Sequence, residues 1–131
     1  MTVSMRRKSK AQGKQIAIIE EVANNIYSMK FVLDSLGFEA RSYEASEGCL
    51  QKLLEFSPQL IVVDMMISNR GGYEIIRDIR GSKLRRVPIL AITADAMEGG
   101  EKEIYAAGGK DILAKPYSVN DLKRKLEKWL S

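Results

Sequence analysis

The stretch Gln59–Gly72, QLIVVDMMISNRGG, runs through four apolar residues, meets Asp64, and passes Met65 and Met66 into a polar, glycine-bearing segment. Its apolar part lacks two-fold alternation, which marks a strand buried on both faces. Such a strand gains nothing from a terminal charge, and an unpaired carboxylate in an apolar setting is costly. Asp64 is therefore either a solvated strand end or part of a site.

The same pattern recurs along the chain. QIAII (15–19), VPILAIT (87–93) and DILA (111–114) are short apolar runs, and FEARSY (38–43) reads as a weaker, edge-type strand. Between them lie helical periods: Ile26, Met29, Leu33 and Leu36 closed by Gly37; Leu50, Leu53 and Leu54; Ile75, Ile76 and Ile79 before Gly81. A thinner fourth helix draws on Ile104, Tyr105, Ala106 and Ala107 after Gly99 and Gly100. In the last, Ser118 and Asp121 form a capping box, and Val119, Leu122, Leu126 and Trp129 form one stripe. The order is strand–helix five times over. It implies an α/β fold of flavodoxin-like (βα)5 type, a doubly wound five-stranded parallel sheet with strand order 2-1-3-4-5.

The 131 residues suffice for one domain with a single core. Twenty-one basic and 17 acidic residues give a net charge of +4. Arg6, Arg7, Lys8, Lys10 and Lys14 all precede Gln15; without these five, 16 basic residues face 17 acidic ones. Residues 1–14 thus read as a basic, disordered tail and 15–131 as the domain, with no nucleic-acid partner expected from the basic pI. No secretory leader or membrane-length apolar run is present, and Cys49 stands alone, so the expectation is a cytoplasmic protein without membrane insertion. The chain has no histidine. This excludes Ser-His-Asp and Cys-His nucleophiles and imidazole metal sites, leaving carboxylates, hydroxyls and lysine.

In a sheet of this order, ligands bind beyond the carboxyl ends of the strands, where the first and third diverge. Glu20 and Glu21 end the first strand and Asp64 the third, so three carboxylates are expected in one crevice. Their mutual repulsion is relieved by a cation, and a hard ion shared between carboxylates and phosphate oxygens is typical of Mg²⁺. Thr93 ends the fourth strand and Lys115, before Pro116, ends the fifth. A hydroxyl and an ammonium beside a carboxylate–metal centre suit the oxygens of a phosphoryl group. The set predicts aspartyl phosphorylation with Asp64 as nucleophile and acceptor and Thr93 and Lys115 holding the product.

With these motifs the segment from Gln15 to Leu130 resembles the receiver domains of two-component response regulators, of the single-domain, chemotaxis-regulator-like type. The resemblance rests on the acid pair Glu20–Glu21, Asp64, Gly72, Thr93–Ala94 and Lys115–Pro116 in order. It implies phosphoryl transfer to Asp64 from a histidine kinase or histidine phosphotransfer protein and signalling through a downstream protein target. It implies no enzymatic activity beyond the domain's own phosphorylation and dephosphorylation. It also implies a metal ligand in the backbone carbonyl of Met66, a cis bond between Lys115 and Pro116, and a switch formed by Thr93 and the residue at 112.

Three positions depart from the family pattern. Glu21 stands where an aspartate is usual and predicts weaker Mg²⁺ binding, Ser68 replaces a common proline, and Ile112 replaces the switching tyrosine or phenylalanine. Two other readings compete. A pseudo-receiver would bind protein without phosphorylation. A flavin mononucleotide carrier would need a hydroxyl- and glycine-rich loop where this chain has the acidic EEVANN (20–25).

Overall fold

The structure, a computed structural model, describes residues 13–66, 71–94 and 100–130. The basic tail up to residue 12 and Ser68 lie outside the described residues. The strands are β1 Gln15–Ile19, β2 Glu39–Tyr43, β3 Leu60–Asp64, β4 Ile89–Thr93 and β5 Asp111–Ala114. The helices are α1 Ala23–Ser35, α2 Cys49–Phe56, α3 Gly72–Arg80, α4 Gly100–Ala107 and α5 Val119–Leu130. All neighbouring strands pair in parallel, in the order β2-β1-β3-β4-β5.

The unalternating strands follow from burial on two sides. Ala17, Ile19, Ile61 and Val63 point to one face and pack with Leu53 and Phe56 of α2 and Ile75, Ile76 and Ile79 of α3. Ile16, Ile18, Leu60, Val62 and Ile92 point to the other, against Met29 and Leu33 of α1 and Leu122 and Leu126 of α5. Successive side chains alternate between the faces, so both sets must be apolar. Burying one such Leu or Ile contributes about 2 kcal/mol.

Register fixes what stands along the carboxyl edge. Ile19 pairs with Val63, so Glu20 stands beside Asp64. Asp64 pairs with Ile92 and Thr93 with Ala114, which sets Thr93 and then Lys115 one step beyond.

Helix α5 keeps its expected capping box: the Asp121 N–H donates to Ser118 Oγ and the Ser118 N–H to Asp121 Oδ2, both at 3.0 Å. Its stripe is shifted. Leu122, Leu126 and Leu130 are buried, whereas Val119, in the first turn and outside both apolar clusters, is exposed. Lys125 reaches back toward the sheet. Its ammonium reaches Asp111 Oδ1 at 2.8 Å, and the Trp129 indole N–H donates to Asp111 Oδ2 at 2.7 Å. Asp111 is buried at the start of β5, and an unpaired charge there would be costly, so the long lysine stem lies along the surface to meet it.

Burial pushes the Asp111 carboxyl up, but Lys125, Trp129 and the Ile112 N–H outweigh it and hold the group below the ordinary 3.8. A depressed folded pKa means a contribution fully present above about 3.8 and lost as pH falls through the folded value. Asp111→Asn should therefore lower stability at neutral pH by about 1–3 kcal/mol. In urea unfolding followed by circular dichroism, the gap from the parent protein should narrow as pH falls below 4; a gap constant with pH would contradict the assignment.

Candidate phosphoacceptor site

Asp64 is 4% exposed at the end of β3, yet both its oxygens are engaged. The Met66 N–H donates to Oδ1 at 2.8 Å, and the Lys115 ammonium meets Oδ2 at 3.0 Å. Glu20, also buried, accepts the N–H groups of Glu21 and Val22 on Oε2 at 3.0 and 3.1 Å. Val22 caps α1 without a side-chain hydrogen bond, so the Glu20 carboxylate takes part in that role.

The two carboxyl groups interact, and their titrations shift in opposite directions. Burial, the hydrogen bond to Asp64 and the Asp64 charge raise Glu20 above its ordinary value, outweighing the two N–H donors. Asp64 is also pushed up by burial, but its bonds to Glu20, the Met66 N–H and Lys115 pull it lower overall. Of the two, Asp64 is the carboxyl group held toward its ionised form. Its oxygen is held in place and charged, as a nucleophile needs to be.

The cleft beside this pair has a volume of about 570 Å³. Glu20, Asp64, Lys115 and Pro116 line it from the strand ends, Asn25, Ser28 and Met29 from α1, and Tyr117 from the segment before α5. The Lys115–Pro116 bond is cis, as the resemblance implies. Tyr117 was not singled out from the sequence; its signal is its place directly after Lys115–Pro116. Burial first, then the charges of Asp64 and Glu20, raise its phenol above the ordinary value, so it faces the acids protonated.

The expected crevice of three carboxylates is corrected here. Among the described residues no three Asp, Glu, Cys or His side chains gather as a metal cage. Glu21 is partly exposed and does not line the cleft. Successive residues at a strand end point in opposite directions, and Glu20 takes the inward one. Two carboxylates on an open cleft still fit Mg²⁺, which is held by one or two carboxylates while water and phosphate oxygens complete its shell. Thr93 is buried at the end of β4, but the cleft wall from that strand is Ile92 and Ala94. Ile112 is partly exposed in β5, outside both apolar clusters.

Gly72, the first residue of α3, is shaped by the segment that follows Asp64. A Cβ at Gly72 would lie 2.5 Å from Met65 Sδ and 3.2 Å from Met65 Cα. The thioether can swing away; the backbone cannot. Gly72→Ala should destabilise the fold by about 1–3 kcal/mol in thermal or urea unfolding. A neutral effect would mean that the loop yields freely.

Comparison with known proteins accords with this geometry. The profile of the response regulator receiver domain matches residues 16–127. The chain is 30% identical to the receiver domain of the sensor histidine kinase PA1611 from Pseudomonas aeruginosa PAO1, solved with a magnesium ion coordinated in its active-site cleft. That match covers 90% of this chain and 98% of the other, with a TM-score of 0.82. Over 107 residues it is 28% identical to the polar-differentiation response regulator DivK of Brucella ovis, covering 81% of this chain and 87% of DivK. Over 115 residues it is 29% identical to the autoinducer 2 sensor kinase/phosphatase LuxQ of Vibrio vulnificus, covering 88% of this chain and 13% of LuxQ.

Proposed function

The chain belongs to the response regulator receiver domain family, and from that premise we propose that it is a phosphorylation-controlled signalling domain with Asp64 as acceptor. The observation that carries the reading is the buried Asp64 anion, paired with Lys115 at 3.0 Å and set beside Glu20. The donor is a phosphohistidine on a kinase or phosphotransfer protein. An Asp64 oxygen forms the new P–O bond as the P–N bond to imidazole breaks, and the imidazole keeps the electron pair.

The chain's own groups divide the work. The Met66 N–H and Lys115 orient the carboxylate, and Lys115 then offers its charge to the phosphoryl oxygens. The Thr93 hydroxyl serves as a further donor from the end of β4. Asp64 and Glu20, with the Met66 carbonyl, would hold Mg²⁺. The ion supplies positive charge that offsets the negative charge of phosphoryl transfer. Output passes to a downstream protein through the changed surface, and the setting is the cytoplasm. No helix among the described residues is long and apolar enough to cross a membrane.

A small phosphodonor tests this directly. Acetyl phosphate with Mg²⁺ should add one phosphoryl group by mass spectrometry, and chelation with EDTA or the change Asp64→Asn should abolish it. Glu20→Gln should weaken Mg²⁺ binding by tenfold or more in calorimetry. A second reading, a phosphorylation-independent binding module, is favoured by Glu21 lying outside the cleft. It is the conclusion if the parent protein takes no label, whereas label persisting on Asp64→Asn moves the acceptor elsewhere.

Switching is expected to be muted. Ile112, β-branched and stiff at χ1, has few ways to follow a movement of Thr93. Beryllofluoride, a phosphoryl mimic, should shift amide NMR signals strongly around Asp64, Thr93 and Lys115 and only modestly across β4, α4 and β5 away from those strand ends. Shifts of equal size over that whole face would show that no aromatic residue is needed.

A further inference from the structure

At the edge of the sheet opposite Asp64, a groove of about 940 Å³ lies between the ends of α2 and α3. Arg80, Lys83 and Arg85 line it, with Leu54 and Leu84 as its apolar part, and no described Asp or Glu lines it. Lys83 and Arg85 are exposed and, among the described residues, form no ion pair. The helix ends do not need them. At the end of α3 the Gly81 N–H meets the Arg77 carbonyl at 3.0 Å, and the N–H and Oγ of Ser82 both meet the Ile79 carbonyl. At the end of α2 the N–H and Oγ of Ser57 meet the carbonyls of Leu53 and Leu54.

The groove is built in advance of any ligand. Arg80 donates from Nε to the Gly108 carbonyl at 2.8 Å and from Nη1 to those of Arg85 and Val87 at 3.0 and 2.8 Å. Among the described residues its partners are carbonyls and no carboxylate. Nη2 takes no part in these bonds, and it reaches solvent, because no buried side-chain nitrogen or oxygen among the described residues lacks a partner. The same bonds hold the connection from α3 to β4, where Ser82 Oγ also accepts the Leu84 N–H at 3.0 Å and Leu84 is buried. Two cations thus stand on a fixed loop beside a fixed guanidinium, and little backbone ordering is required on binding. We propose that this groove binds a small anion carrying two or more phosphoryl groups, either a nucleoside diphosphate or a short inorganic polyphosphate. A planar guanidinium matches phosphate oxygens, and Lys83 and Arg85 supply the further positive charge. Neighbouring phosphoryl groups share a bridging oxygen and present dense charge, whereas an acidic peptide must order a separate side chain for each charge. The site lies apart from Asp64 and goes beyond the phosphoacceptor reading.

Calorimetry on the whole chain tests this with pyrophosphate and ADP, in the absence of Mg²⁺ so that neither is drawn to the acceptor cleft. Each should bind once per chain. Lys83→Gln and Arg85→Gln together, at two exposed side chains whose loss leaves the fold intact, should weaken both ligands about tenfold or more. Lys102→Gln and Lys123→Gln together remove the same charge from exposed positions on α4 and α5 and should change binding by less than about twofold, as should Asp64→Asn. Amide NMR shifts should centre on residues 81–87. Tighter binding of ADP than of pyrophosphate assigns a nucleotide, and binding no tighter assigns the phosphate chain alone. No binding, or binding that survives the change at Lys83 and Arg85, overturns the proposal. A hexaglutamate peptide that binds more tightly than pyrophosphate at the same side chains also overturns it and assigns the groove to an acidic protein segment. The phosphoacceptor reading, tested by labelling of Asp64, stands or falls separately.

Discussion

Everything at the active edge depends on keeping one carboxylate ionised where little water reaches it. Asp64 ends a strand buried on both faces, and burial pushes its carboxyl toward the protonated form. The Met66 N–H and the Lys115 ammonium counter this, and Glu20 beside it lowers the Asp64 value further. Lys115 and Glu20 lie far from Asp64 in the chain, so their contribution arises only once β1, β3 and β5 are in register.

The apolar runs made the fold readable because a strand covered on both faces needs apolar side chains at every position. All five strands and five helices lie where periodicity and glycine breaks put them, and the strand order follows. The carboxyl-edge rule then led to Glu20, Asp64, Thr93 and Lys115 without coordinates. Direction was less legible than position. Glu20 and Glu21 are equivalent in sequence, and only the pleat at the end of β1 decides which enters the cleft. Tyr117 escaped for a related reason, since a tyrosine after Lys115–Pro116 reads as loop until the return toward α1 is seen. The Asp111 group escaped because its members, at 111, 125 and 129, meet only after α5 lies back along β5.

That second acid shows how unlike the two ends of β5 are. At its start Asp111 is bound to α5 by Lys125 and Trp129, with Lys110 and Lys128 over the indole ring at 5.2 and 5.1 Å. These contacts involve no group that the proposed chemistry alters. Just past its end Lys115 is bound to Asp64, the group on which that chemistry acts.

A phosphoryl group on Asp64 would replace a carboxylate oxygen as the partner of Lys115, so the force on β5 changes at one end only. The strand is four residues long and paired along its length to β4, too short to bend in the middle without breaking ladder bonds. Ile112 sits next to the fixed end, its N–H bonded to Asp111 Oδ1 at 2.8 Å. A side chain anchored there at its backbone and stiff at χ1 is poorly placed to carry a displacement that begins three residues away. The groups placed to respond lie at the carboxyl edge: Lys115 and Thr93. A change confined to that edge alters the surface around the cleft mouth, and a partner that distinguishes the two states must contact that rim.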